Sequence, residues 1–213
     1  MDIKTQLKDL KLNIQMYNCN NIKKRGDSEL KLFIFMGASG SGKSVIQHSL
    51  PIEFMTNCTT RPLRDGEVDG YHIKQVSEEE FLKLRNNNFF FETTNYSGNY
   101  YGTPNHKIKE MIHGKPFHCT KDINGVAALK EKLGDKAVSI YIKPPSIIEL
   151  QKRMFDRGDK PKDIERRIAY LLETNEIDNE KYADYVIVND DLKEAQLEAH
   201  KIIIKELLSE IIK

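Results

Sequence analysis

The sequence predicts an α/β fold in which a mostly parallel sheet is covered by helices on both faces, and three observations carry that reading. Short apolar runs alternate with segments of helical periodicity, the order that calls for parallel strands joined by crossover helices. The first run, Leu32-Phe33-Ile34-Phe35-Met36, is apolar without interruption, as a strand buried on both faces must be. It leads straight into the glycine-rich stretch Gly37 to Ser44, where a helix is expected to begin.

Taken in order, residues 1–30 differ from the rest. They are rich in Lys and Asn, with Ile3, Leu7, Leu10 and Ile14 at the spacing of a weak amphipathic helix, followed by a polar stretch from Asn18 to Ser28. They read as an N-terminal extension, either a docking helix or a solvated terminus, ahead of a domain at 31–213. A helix from Lys43 must stop before Pro51, because proline has no N–H to donate and clashes with the preceding turn. Further strands are expected at Ile52 to Cys58, Phe89 to Thr94, Lys115 to Thr120, Ala137 to Ile142 and Tyr185 to Val188. Helices are expected at Ser77 to Arg85, Pro104 to Ile112, Asp122 to Leu133, Pro145 to Phe155, Lys162 to Asn175 and Asp191 to Ile212. Ser77-Glu78-Glu79-Glu80 has the capping-box pattern of a helix start.

The run Gly37-Ala38-Ser39-Gly40-Ser41-Gly42-Lys43-Ser44 matches the phosphate-binding loop pattern at every fixed position, in the required strand-then-helix context. Backbone N–H groups must converge there on phosphate oxygens, and the helix N-terminus adds positive potential at the same point. Lys43 is expected to reach the β- and γ-phosphates of a nucleoside triphosphate and Ser44 to ligate the Mg²⁺ held with it. The fold class is thus of the P-loop NTPase type.

Bulk properties limit the partners. Charged residues make up 31% and hydrophobic residues 39% of the 213, a globular balance that leaves room for one α/β domain with a small insertion. The formal net charge of +1 exerts no global pull on nucleic acid or membrane, so anion binding must be local. No apolar stretch reaches the roughly 18 residues of a membrane span, and no signal-peptide h-region is visible. A cytoplasmic protein without nucleic-acid or membrane partners is expected. Cys19, Cys58 and Cys119 are too scattered for a disulfide framework or a zinc site and read as inert thiols. The six histidines show no metal-ligand spacing.

A second site is suggested downstream. Thr59-Thr60-Arg61-Pro62-Leu63-Arg64-Asp65-Gly66-Glu67 carries two arginines three apart in a Pro/Gly-punctuated loop, suited to forking onto a phosphate monoester. The segment from Phe89 to Thr103 gathers a carboxylate, hydroxyls and aromatics in what reads as a hairpin.

In these runs the chain resembles the guanylate kinase family over about residues 31–205. The resemblance is carried by Gly37 to Ser44, Thr59 to Gly70, Ser97 to Thr103, Asp122 with Gly125-Val126, Pro144-Pro145-Ser146, Arg157-Gly158, Arg166-Arg167 and Val188-Asn189-Asp190-Asp191-Leu192. It implies an acceptor-binding subdomain at about 54–105 and a helical lid at about 156–167. It further implies that Arg61, Arg64 and Tyr101 hold the phosphate of GMP, with Tyr71 as a further phosphate-binding tyrosine. Glu92 and Thr103 would read the guanine, with Asn57 and Asp122 nearby. The chemistry agrees, since guanine offers N1–H and N2–H₂ to a carboxylate, and O6 asks for a donor. Arg153, Arg157 and Arg167 would close over the phosphates, and Asn189 would lie near the adenine of ATP.

The chain departs from the family pattern in four places. Only seven residues lie between Lys43 and Pro51, Asn57 replaces a Ser, Thr120-Lys121-Asp122 replaces an acidic-x-Asp run, and Tyr71 aligns only across a gap. A kinase of another phosphorylated small acceptor and a non-catalytic protein-binding module are the alternatives. The complete Lys43-Ser44 pair argues against the module.

Overall fold

A computed structural model describes residues 31–209 apart from 65, 72, 97 and 114, together with residues 3, 5, 6, 8 and 9, which are helical. The amphipathic helix expected at Ile3, Leu7, Leu10 and Ile14 therefore lies largely outside the described residues.

Five parallel strands form the main sheet in the order β2-β7-β1-β8-β9. They are β1 (Leu32–Met36), β2 (Glu53–Phe54), β7 (Phe117–Thr120), β8 (Ala137–Lys143) and β9 (Tyr185–Val188). β1 lies at the centre, and alternation sends its side chains to opposite faces. Phe33 and Phe35 pack with Ile46 of α1 (Lys43–His48) and with Ala199 and Ile203 of α7 (Leu192–Ser209). Leu32, Ile34 and Met36 pack on the other face with Met111 of α3 (Asn105–Ile112) and Leu129 of α4 (Ile123–Leu133). Burial on both faces is why β1 is apolar at every position.

A second sheet, of order β4-β3-β6-β5, is made by β3 (Asn57–Thr59), β4 (Ile73–Gln75), β5 (Phe90–Tyr96) and β6 (Asn99–Pro104). β5 and β6 form the expected antiparallel hairpin, and α2 (Glu78–Asn86) buries Phe81 beneath it. Ser77 caps α2 through the Glu80 amide, as the capping box predicts.

One expectation needs correction. The single strand expected over Ile52 to Cys58 is two, divided at Met55 and Thr56, because the chain leaves the parallel sheet there and enters the second one. β4 and a 3₁₀ segment at Glu176–Tyr182 have no periodic signal in the sequence. The last helix, expected to run to Ile212, is described to Ser209. A helix pair, α5 (Ile147–Asp156) and α6 (Pro161–Glu173), packs Leu150, Met154, Ile164 and Leu171 around Ala38 of the glycine-rich loop. Ser146 caps α5, and Pro161 opens α6, where its missing N–H costs nothing.

Candidate active site

The loop between β1 and α1 is bound by its surroundings as much as by its own sequence. At Gly37, φ is 128° and a Cβ would meet the Ile142 carbonyl oxygen at 2.6 Å. At Gly42, φ is 96° and a Cβ would meet Asn189 Nδ2 at 2.1 Å. Only glycine suits either place. Lys43 folds back so that Nζ donates to the carbonyls of Gly37 at 2.5 Å and Ala38 at 2.8 Å. Burial lowers its ammonium from 10.5 to about 8, with Glu176 opposing the shift and Arg64 and Arg157 adding to it. Ser41 is buried, while Ser44 is exposed in the first turn of α1.

Short as it is, α1 is firmly tied to β7. Gln47 Nε2 lies 3.2 Å from His118 Nδ1, and Gln47 Oε1 accepts from Thr120 Oγ1 at 2.8 Å. Burial pushes His118 down to about 3, so this contact uses a neutral imidazole. Thr120, where the family pattern has an acid, thus anchors the helix of the phosphate loop.

The second sheet assembles a buried polar group. Glu92 on β5 and Thr103 on β6 are directly opposed in the ladder. Thr103 Oγ1 lies 2.5 Å from Glu92 Oε1 and 3.1 Å from Asn57 Oδ1. A hydroxyl has one proton, and the carboxylate is the stronger of the two acceptors facing it. Lys121 Nζ approaches the same Glu92 oxygen at 2.6 Å, both side chains being 2% exposed. Glu92 Oε2 is buried and has no hydrogen-bond partner among the described residues. Lys121 is absent from the expected site, because a Lys following a short strand reads as solvated. Its position between Thr120 and Asp122 was the available signal.

Arginines from two regions converge on the cleft. Arg61 Nη2 donates to both carboxylate oxygens of Glu67, at 2.9 Å each, and the same carboxylate accepts from the Arg64 amide at 2.8 Å. Burial, then the neighbouring Arg61 and Arg167, lower the Arg64 guanidinium from its ordinary value. Across the cleft, Arg157 and Arg167 share Asp159 at 2.6 and 2.7 Å and both reach Ser39 Oγ of the loop, at 3.4 and 3.1 Å. Arg153 pairs with Glu149 and donates to the Asn189 carbonyl at 3.0 Å. Arg166, by contrast, makes an exposed pair with Asp163.

Between these groups, Tyr96 Oη lies 3.3 Å from the Glu176 carboxylate and its ring meets Tyr101 and Tyr170 edge-on. Burial raises both Glu176 and Asp122; the charge of Asp122 adds to the shift at Glu176, and the charge of Glu92 adds to the shift at Asp122. Asp122 caps α4 by accepting from the Gly125 amide at 2.8 Å. The Asn189 amide donates to the Ser41 carbonyl at 2.7 Å, and Asp191 caps α7. The Tyr71 side chain is 68% exposed on the outer loop.

Among the described residues no helix is long and apolar enough to cross a membrane, and no group of three or more His, Cys, Asp or Glu side chains could hold a metal. The family model described as guanylate kinase matches residues 29–206. The guanylate kinase of Sulfurimonas denitrificans is 40% identical over 171 residues, covering 77% of this chain and 82% of that protein. The guanylate kinase of Symbiobacterium thermophilum is 39% identical over 182 residues, covering 82% and 85%. The crystal structure of guanylate kinase from Anaplasma phagocytophilum superposes with a TM-score of 0.67 at 27% identity, covering 85% of this chain and 88% of that one. With a family match across most of its length and relatives of this similarity, the chain belongs to the guanylate kinase family.

Proposed function

We propose that this protein transfers the γ-phosphate of ATP to GMP, or dGMP, giving ADP and GDP. One observation carries the choice of acceptor: Glu92 Oε2 is a buried acceptor without a partner among the described residues, beside a hydroxyl and an amide. An acceptor of that kind asks for donors, and the N1–H and N2–H₂ of guanine supply two on one edge. Adenine presents an acceptor at N1, which would set lone pair against lone pair at the buried carboxylate, a mismatch worth about 10⁴-fold or more in discrimination.

The remaining roles complete the proposal. Residues 54–105 act as the acceptor lobe, 156–167 as the lid and 1–30 as an extension. Lys43, now on loop carbonyls, turns to the β- and γ-phosphates. Arg61, Arg64 and Tyr101 receive the phosphate of GMP, while Asp122 faces the nucleoside. Arg157 and Arg167, already at Ser39, cover the equatorial oxygens as charge develops, and Arg153 supports them from α5. Excluding water here keeps ATP from being hydrolysed. No covalent intermediate is required, since orientation and charge neutralisation supply most of the catalysis.

Mg²⁺ suits the donor set, because Ser44 offers one exposed hard oxygen and this ion keeps several waters and phosphate oxygens around few protein ligands. When bound with ATP it neutralises phosphate charge. The test is ADP release measured with GMP, dGMP, AMP, CMP and ribose phosphates as acceptors. Highest activity is expected with a guanine nucleotide, and a preference for any other acceptor overturns the reading.

A further inference from the structure

Lys121 has no role in the scheme above, yet its charge is among the most deeply buried in the chain. It follows β7 and places Nζ 2.6 Å from Glu92 Oε1. That oxygen also takes the proton of Thr103, so it is fully engaged, while Oε2 has no hydrogen-bond partner among the described residues. The carboxylate is therefore held by one oxygen and presented by the other.

The protonation state of such a group decides which base it can read. Ionised, it only accepts, which complements the two donors of guanine; neutral, it offers one donor and one acceptor, which complements N1 and N6–H₂ of adenine. In a dry site the ionised form is the costlier one unless a cation lies against it. We infer that Lys121 is a positioning residue that sets the selectivity for the acceptor base, by keeping Glu92 ionised with Oε2 directed at the guanine donors. This rests on Glu92 being the group that reads the base.

The other titratable groups around the pair do not supply that cation. From α4 come Asp122, itself an acid, and Lys132, whose Nζ donates to the Phe91 carbonyl. From β7 and β3 come Cys119 and Cys58, thiols that burial pushes up to about 12 and about 11. From α2 and α3 come Glu80, whose charge acts on Cys58, and His106, whose ring lies 5.9 Å from that of Phe89.

The experiment measures kcat/KM for GMP and for AMP, with saturating Mg²⁺ and ATP, in the full chain and in Lys121→Met and Lys121→Arg across a range of pH. Lys43 and the lid arginines serve both acceptors, so their titrations cancel from the GMP:AMP ratio. In Lys121→Met the ratio is expected to fall by about 100-fold or more and to climb as pH rises, because deprotonation restores the acceptor. In the wild type and in Lys121→Arg the ratio stays high and independent of pH. A ratio in Lys121→Met that equals the wild-type value, or that is lowered equally at every pH, overturns the inference. Should Lys121→Met fail to bind an ATP analogue and so prove unfolded, the ¹³C signal of the Glu92 carboxyl in the wild type decides, assigned by its loss in Glu92→Gln. A carboxylate signal at neutral pH is expected, and a neutral-acid signal refutes it. A wild-type preference for AMP would instead sink the GMP reading itself, whatever the variants do.

Discussion

Gly42 and Asn189 meet at one point in the structure, and the meeting allows a quantitative test of how the phosphate loop is held. The Asn189 amide donates to the Ser41 carbonyl at 2.7 Å, and a Cβ on Gly42 would lie 2.1 Å from that same nitrogen. Gly42→Ala therefore has two costs. A φ of 96° strains alanine by about 1–2 kcal/mol. The new methyl also evicts the amide, leaving the carbonyl of the fully buried Ser41 unpaired, at about 1–3 kcal/mol. Asn189→Ala incurs only the second cost, and the double variant incurs the backbone strain plus the lost hydrogen bond once. The double variant should therefore be less destabilised than the sum of the single variants, by about 1–3 kcal/mol. Urea unfolding of the four proteins, compared at constant m, measures that interaction. Additivity within about 0.5 kcal/mol would mean that the amide does not occupy the space above Gly42. Kinetics extend the test: a brace raises KM for ATP and GTP alike in Asn189→Ala, whereas an adenine reader would affect ATP selectively.

Three further outcomes are expected. Lys43 in the free enzyme loses its proton from about pH 8 upward, so kcat/KM for ATP should be flat below that pH and fall by about tenfold per unit above it. A profile level to pH 10 would contradict the buried position of the ammonium, and Lys43→Ala should lose orders of magnitude in turnover. Thr103→Val removes the proton shared with Glu92 and should raise KM for GMP about 10- to 100-fold while leaving KM for ATP within about twofold. Cys58 and Cys119 are buried, with thiols raised to about 11 and about 12, so an alkylating reagent at neutral pH should label them only after unfolding; peptide mapping of native protein tests this.

Local signals explain what could be read in the sequence. The uninterrupted apolar run of β1, the glycines after it and the Ser77 cap each depend on neighbours in the chain, so periodicity and turn chemistry disclose them. The division of Ile52 to Cys58 is not local. It depends on which sheet offers Glu53 and Asn57 a partner, and those partners, Phe117 and Ile73, lie far along the chain. The same distinction governs the site. The phosphate loop is one contiguous run, whereas the pairing of Lys121 with Glu92 spans 29 positions and that of Asn189 with Ser41 spans 148. Charged groups invite a reading as solvated until a tertiary partner is known: Arg167 finds Asp159, eight residues away and ahead of its own helix.

Glu67 and Asp159 give the cleft a property that its arginines alone would not have. Each holds two cationic or N–H-bearing groups that a phosphate would otherwise claim. Anion binding at either place is thus an exchange of one negative partner for another, and bare sulfate or orthophosphate gains little by it. A nucleotide does better, because its base and sugar contribute contacts that the internal carboxylates cannot match. The cleft can carry strong positive charge for catalysis and still stay unoccupied in a medium full of inorganic phosphate.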